Sequence, residues 1–412
     1  MSALGSDAWL NASAYDSTHP LHTRAADFIA NIDWSSLTKN ASQLRHGIPC
    51  TLSEKFSVGH FNMVRRLEFE DGVLWIARLR LPELNSVFGE REALDVENSM
   101  RIEVGTLKYI REKTAIPVPD IHSYKFGSED STGVGAPYIL MSYIHGNVAQ
   151  DLQEEIDGDS NLFGTPEQDQ NFRRQMVEIQ FQLANLTFDR IGAVYQDGDV
   201  GFKLGPEIET GLGPWATPQM YWDAWAHHAA GVARKDCTEE TKLDASIQLP
   251  VYFNDLMAAY GQSRQTRFGL VNRDFGAHNV LVDKEFNILA LIDVDGVIAA
   301  PIERVAQFPC FMSLERPAPG YVERRPAAIE RLKGCEGFLE KYAETVREFR
   351  ASQGASASSG GPKLEEVMMS DGASIVQGLI EYGQHQIHVN QRWLGAYEKF
   401  MRKIGKEVDR HE

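Results

Sequence analysis

Cysteine is scarce: there are four in 412 residues (Cys50, Cys237, Cys310 and Cys335), and no two form a C-x-x-C pair. That pattern excludes a disulfide framework and a cysteine zinc site, and it suits a reducing compartment. Long apolar runs are missing too, so no segment reads as a bilayer span. The first residues, MSALGSDAWLNASAYDS, show neither a basic stretch nor an apolar one, so secretion is not expected. Basic residues are outnumbered, with 41 Lys and Arg against 58 Asp and Glu, a formal net charge of −17. A surface of that sign repels nucleic acid and anionic membrane. What is present is 43% hydrophobic residues, enough for a sizeable core. The expectation is a soluble, cytoplasmic globular protein, and no internal repeat is visible.

The chemistry is concentrated in residues 268–299. Phe268–Val271 is a short apolar run leading into a loop that carries Asp274 and, five residues on, Asn279. Val280–Val282 and Ile288–Ile292 are apolar runs joined by the polar turn Asp283–Asn287, which is a hairpin pattern. Such a hairpin brings Asp293 back to the end that holds Asp274 and Asn279. A carboxylate able to accept a hydroxyl proton, beside an amide oxygen and a second carboxylate able to hold Mg²⁺ against phosphates, suits phosphoryl transfer. The D-x-x-x-x-N spacing is that of a kinase catalytic loop. Asp274-Phe275-Gly276 also spells the metal-binding triplet of protein kinases. The order of motifs makes Asp274 the base position and Asp293 the metal position, because the D-x-x-x-x-N begins at Asp274 itself.

Upstream, the pattern is strand-rich. Lys55–Val58, Phe61–Phe69 and Val73–Leu79 read as strands, with a turn at Gly59 and a hairpin turn at Asp71-Gly72. In a nucleotide-binding lobe this order lays the Gly59 loop over the phosphates and brings Arg78 toward them. Glu90–Glu112 reads as helix, and Glu103 on it is placed either to pair with Arg78 or simply to face solvent. Asp120–Phe126 and Pro137–Tyr143 read as two more strands, with Met141–Tyr143 a candidate hinge or a plain strand end. Asp151–Phe172 carries seven carboxylates and no Lys or Arg. It reads as a solvated acidic loop, with a cation-preferring pocket wall as the alternative. Helical spacing follows from Gln175, around Gln219–Gly231 and around Leu249–Tyr260, and Gly192–Pro218 reads as turns. A long helix is expected over Ile329–Phe349, and residues 351–362 read as a disordered loop. His385 and His388 stand three apart with no further ligand in view, so they read as ordinary helical histidines.

This assembly resembles the aminoglycoside phosphotransferase and choline kinase-like family of small-molecule kinases. The resemblance lies in Gly59-His60-Phe61-Asn62, Trp75-Ile76-Ala77-Arg78, Glu103 and Lys113–Pro119. It continues in Met141–Gly146, Asp274 with Asn279, and Ile292-Asp293, covering roughly residues 50–310. It implies an α+β, two-lobed protein-kinase-like fold, with an N-terminal antiparallel sheet lobe (51–145) after an extension (1–50). A larger helical lobe (146–412) would follow. It further implies Asp274 as catalytic base and Asn279 with Asp293 as Mg²⁺ ligands. Arg78, Glu103, Gly59, Met141 and Tyr143 would bind ATP. Two positions depart from the family: Arg78 stands where it usually has Lys, and Asn272 where it usually has His. No Ala-Pro-Glu activation segment follows Asp293 at the right distance, which favours a small-molecule acceptor over a protein. The expected activity is transfer of the γ-phosphate of ATP to a small-molecule hydroxyl. A catalytically silent kinase fold that binds a nucleotide or metabolite is the alternative.

Overall fold

The computed structural model describes residues 5–10, 20–59, 61–82, 96–127, 133–158, 160–198, 201–236, 244–294, 296–314, 316–320, 329–330, 337–354, 362–384 and 387–408. In chain order, α1 (Pro20–Asn31) and α2 (Trp34–Leu44) precede β1 (Cys50–Val58), β2 (Asn62–Phe69) and β3 (Leu74–Arg80). Then come α3 (Val96–Lys113), β4 (Ile121–Lys125), β5 (Tyr138–Ser142), β6 (Asn147–Val148), α4 (Ala149–Asp157) and α5 (Pro166–Asn185). β7 (Thr187–Phe188), β8 (Gly192–Asp197), β9 (Gly201–Gly205), α6 (Pro218–Asp236) and α7 (Asp244–Tyr260) follow. The stretch singled out in the sequence forms β10 (Phe268–Asn272), β11 (Val280–Val282), β12 (Ile288–Leu291) and β13 (Val297–Ala300), followed by α8 (Ile302–Val305). Helices Phe338–Ser352, Leu364–Met368, Asp371–Gln384 and Ile387–Lys403 complete the second lobe.

The first lobe is an antiparallel sheet in the order β1-β2-β3-β5-β4. Side chains alternate across it, as a pleated strand requires. Met63, Leu67, Trp75, Ala77, Leu79, Tyr138 and Leu140 point to one face. There they share a core with Ala25, Phe28 and Ile32 of α1 and its end, and with Leu37 and Ala41 of α2. The sequence sets residues 1–50 apart as an extension; helices α1 and α2 instead roof the sheet. The opposite face carries Val64, Ile76, Ile139 and Met141 and looks toward α3.

The second lobe holds the larger core, built around α5, α6, α7, strands β10–β13 and the late helices. α5 starts with a capping box: the Thr165 side chain accepts from the Gln168 N–H, and Gln168 reaches back to the Thr165 N–H. Residues 192–205, expected to be turns, form β8 and β9 in a sheet ordered β7-β10-β13-β8-β9. Their glycines serve close approach: a Cβ on Gly192 would lie 2.6 Å from the Gly205 carbonyl oxygen. The expected helix over Ile329–Phe349 begins at Phe338, after Gly337 with φ 83°. Residues 355–361 of the expected loop, and the His385 and His388 side chains, lie outside what is described. None of the described helices is long and apolar enough to cross a membrane.

α3 joins the lobes, packing on β8 so closely that a Cβ on Gly105 would sit 2.7–2.9 Å from backbone atoms of Val194, Tyr195 and Gln196. Backbone cannot yield as a side-chain tip can. Gly105→Ala therefore shifts α3, with an overpacking cost of about 1–3 kcal/mol, measured as a lowered urea midpoint. Because Glu103 rides on the same helix, its carboxylate moves with it.

Candidate active site

The hairpin β11–β12 pairs Val280 with Leu291 and Leu281 with Ala290, and so returns the chain beside the catalytic loop. The Ile292 N–H donates to the Asn279 carbonyl at 2.9 Å. Asn272, at the end of β10, links the two carboxylate-bearing segments. Its Oδ1 accepts from the Asp274 N–H at 3.1 Å, and its Nδ2 donates to the Asp293 carbonyl at 3.2 Å. Asn279 closes the ring, its Nδ2 donating to the Asp274 carbonyl at 3.0 Å and to Asp274 Oδ2 at 3.1 Å. That engagement leaves the amide oxygen as the atom with which Asn279 could hold a cation. Asp293 has φ 57°, a left-handed backbone that Asp tolerates better than most residues and that often marks functional positions.

Arg78 reaches this ring from the sheet lobe. Its Nη1 donates to Glu103 Oε1 at 2.6 Å and its Nη2 to Asp293 Oδ1 at 2.9 Å. The fork thus bridges α3 and the catalytic hairpin, a geometry that suits a planar guanidinium and not a point ammonium. Asn62, on β2 directly after the loop, faces the same guanidinium. With its amide oxygen turned inward it accepts from Arg78 Nε at 3.1 Å and Nη2 at 2.7 Å. Gly59 sits on the turn, its N–H donating to the Asn62 carbonyl at 2.9 Å. A Cβ there would meet nothing within 4 Å, so packing does not require glycine. Met141 is buried on the cleft face of β5, and Tyr143 follows at the strand end.

His278 is a neighbour that the sequence reading passes over. Its Nε2 lies 2.9 Å from Asp274 Oδ1. The i,i+4 spacing was visible, but only the 3-10 turn Ala277–Asn279 shows that the ring folds back. Burial pushes the Asp274 carboxyl up, yet the hydrogen bond and charge of His278, helped by Asn279, outweigh it and hold the carboxyl below the usual range. The same hydrogen bond raises His278 against the opposing effect of burial, and the charges of Asp274, Asp293 and Asp151 add to it.

A histidine raised by folding stabilises most below its unfolded value of about 6.5, and the contribution is lost as pH rises through the folded value. His278→Gln therefore unfolds at lower urea than the parent in mild acid, and the gap narrows in mild base. Paired urea titrations at the two pH values check this.

Beside the loop lies a cavity of about 460 Å³, bordered by Asn272, Arg273, Phe275 and His278 and by the far-side residues Arg304, Cys310, Glu381 and Arg392. None of the described residues of 151–172 lines it, so the described part of the acidic stretch does not form its wall. Phe275 is buried and Gly276 pairs with Cys310, which keeps the Asp-Phe-Gly string inside the catalytic loop. Asp295, to which the family resemblance would give a supporting role beside the metal, lies outside the described residues.

The donor set can be tested for a cation. Among the described residues, no cluster of three His, Cys, Asp or Glu side chains is placed to hold a metal alone. Mg²⁺ does not require one, since it is commonly held by one or two protein oxygens with phosphates and water filling the rest. Asn279 and Asp293 fit that pattern.

No protein-family model matches the chain. A stretch of 105 residues is 30% identical to Altered inheritance of mitochondria protein 9, mitochondrial, of Clavispora lusitaniae, covering 26% of this chain and 17% of that protein. A subtelomeric hrmA-associated cluster protein of Aspergillus fumigatus is 25% identical over 154 residues, 37% of this chain and 26% of the relative. The matched stretches thus cover 26% or less of these curated relatives. Among solved structures, the chain is similar to aminoglycoside phosphotransferase APH(4)-Ia in a ternary complex with ADP and hygromycin B. That match has 17% identity and a TM-score of 0.45, over 89% of this chain and 98% of that one. It is also similar to a macrolide 2′-phosphotransferase type I, with 13% identity and a TM-score of 0.43, over 92% of this chain and 99% of that one.

Proposed function

We propose that this chain is a phosphotransferase that moves the γ-phosphate of ATP to a hydroxyl of a small molecule. The observation that carries the reading is the single hydrogen-bonded ring joining Asp274, Asn272, Asn279 and Asp293, tied through Arg78 to Glu103. Six residues, from β3, α3 and the stretch 268–299, meet there with the polarity that phosphoryl transfer needs.

In this reading Asp274 accepts the proton of the acceptor hydroxyl as its oxygen bonds to phosphorus and the bridging bond to ADP breaks. Its lowered pKa keeps it ionised at neutral pH. Asn279 Oδ1 and Asp293 would hold Mg²⁺, which when bound neutralises charge on the phosphates. Arg78, oriented by Glu103, would face the nucleotide phosphates. Val64, Ile76 and Met141 offer an apolar face to the base, and Tyr143 lies at its edge.

The acceptor would occupy the cavity beside the catalytic loop. Three guanidinium groups (Arg273, Arg304, Arg392) and Glu381 border it; Arg304 meets Glu209 at 3.2 Å and Arg392 meets Glu381 at 3.9 Å, so the wall shows no carboxylate excess, unlike the whole chain. Acceptors bearing a carboxylate, or hydroxyls alone, suit that wall better than polyamines do. A cytoplasmic setting stays our working assumption from the cysteine pattern.

Arg78 also motivates the second reading, a silent nucleotide- or metabolite-binding protein, because it already grips Asp293. A coupled ADP-release assay separates the two, run with and without Mg²⁺ over matched acidic, neutral and amino hydroxyl compounds. Mg²⁺-dependent release with acidic or neutral acceptors is expected. Nucleotide binding with no release for any acceptor class would leave the silent reading standing.

A further inference from the structure

Residues 5–10 lie across the mouth of the cleft between the lobes. The Gly5 N–H donates to Asn147 Oδ1 at 2.8 Å, and the Ser6 N–H and hydroxyl both lie 3.0 Å from the Tyr143 hydroxyl. Arg66, from the cleft face of β2, donates to Ser6 Oγ at 2.8 Å and to Asp7 Oδ1 at 3.0 Å. Lys55 reaches the Asp7 carbonyl, and the Phe56 N–H donates to the Leu10 carbonyl at 2.9 Å, so the segment ends as a bridge to β1. It therefore runs from the proposed hinge (Tyr143, Asn147) to the strand that precedes the phosphate loop. Between those anchors Trp9 packs, half-buried, against the cluster of Ile76, Ile139 and Met141, with Val64 and Tyr143 at its margin. All but Ile139 are side chains assigned above to the base.

We propose that this segment is an autoinhibitory strap, with the Trp9 indole filling the place of the purine, and that nucleotide binds only after the strap lifts. The inference rests on the nucleotide reading of the cleft. A purine and an indole are both flat bicyclic rings of similar size and bury the same apolar face, so the two exclude each other. Several hydrogen bonds hold the strap down, yet few of its own side chains are buried, Ser6 being the exception at 1% exposure. Such an element opens at low cost compared with the core. Apparent affinity for nucleotide is then reduced by the fraction of molecules with the strap open.

Two variants release the strap. One lacks residues 1–10. The other is Gly5→Ala in the full chain: Gly5 has φ 57°, and a Cβ there would collide with the Tyr143 hydroxyl. Titration calorimetry with Mg·ADP should show both binding about tenfold tighter than the parent, as release from a strap open in about one molecule in ten requires. Hydrogen exchange on the parent should show the amides of residues 6–10 losing protection when Mg·ADP saturates it. Equal affinity in all three proteins, with residues 6–10 still protected, overturns the strap and leaves the nucleotide reading intact. Weaker binding in the variants makes Trp9 a stacking partner of the base, which also overturns it. Failure of every protein to bind Mg·ADP, with all of them folded by circular dichroism, removes the nucleotide reading itself and the strap with it.

Discussion

Asp274→Asn lowers kcat by about two to four orders of magnitude, the range for losing a positioned general base, while Mg·ADP affinity stays nearly unchanged. The expectation follows from what the substitution keeps and what it removes. The backbone contacts of residue 274, to Asn272 Oδ1 and from Asn279 Nδ2, do not depend on the carboxylate. The loop therefore stays in place, and so do the donors proposed to hold the nucleotide. What disappears is the oxygen that takes the acceptor proton, together with the charge that His278 faces. The effect thus belongs in kcat and not in nucleotide binding. His278 in the variant also loses the contact that raises it, so its titration moves back toward the ordinary histidine range. A proton NMR titration of the imidazole reports that move even in a protein that turns nothing over. Turnover within a few-fold of the parent, with His278 shifted as expected, would sink the role of Asp274 as base.

What could be read from the sequence divides by distance along the chain. Asp274, Asn279 and Asp293 lie within one hairpin, so spacing and strand pattern alone put them at one end. The pairing of Arg78 with Glu103 and Asp293 spans 25 and 215 residues, and no local pattern contains it. The sequence offered the first contact as one of two readings of Glu103, the resemblance favoured it, and nothing suggested the second. β8 and β9 escaped because Gly192, Gly201 and Gly205 read as turn formers, whereas at Gly192 and Gly205 the missing side chain lets the strands and the Tyr195 ring approach. Thr23–Ile32, within α1, shows a helical period, but nothing local marks α2 or the sheet that the two helices cover. The strap over the cleft has no periodicity at all, since hydrogen bonds to distant side chains hold it.

Arg78→Met is expected to cost about 3–5 kcal/mol of stability, the usual penalty for removing one partner of a buried ion pair. Glu103 is 4% exposed and would lose the guanidinium that its carboxylate meets at 2.6 Å. Nucleotide affinity and turnover fall with it, so the single variant cannot separate structure from function. A second substitution does. In Arg78→Met with Glu103→Leu, the buried carboxylate is gone along with its partner, and an apolar pair of similar bulk packs under β3. Most of the lost stability returns, because swapping both members of a buried pair for hydrophobic residues is often close to neutral. The phosphates still find no guanidinium, so Mg·ADP affinity stays low. The departure from lysine sharpens the test. Arg78→Lys keeps one charge but reaches one carboxylate at a time, so it retains much of the stability while the link from Glu103 to Asp293 breaks. Urea midpoints and Mg·ADP titrations on the parent, Arg78→Met, Glu103→Leu and the double variant form a cycle whose two readouts must part company, with Arg78→Lys measured beside them. If affinity recovers in step with stability in the double variant, Arg78 only props α3 against the sheet, and the grip on the phosphates must come from elsewhere in the cleft.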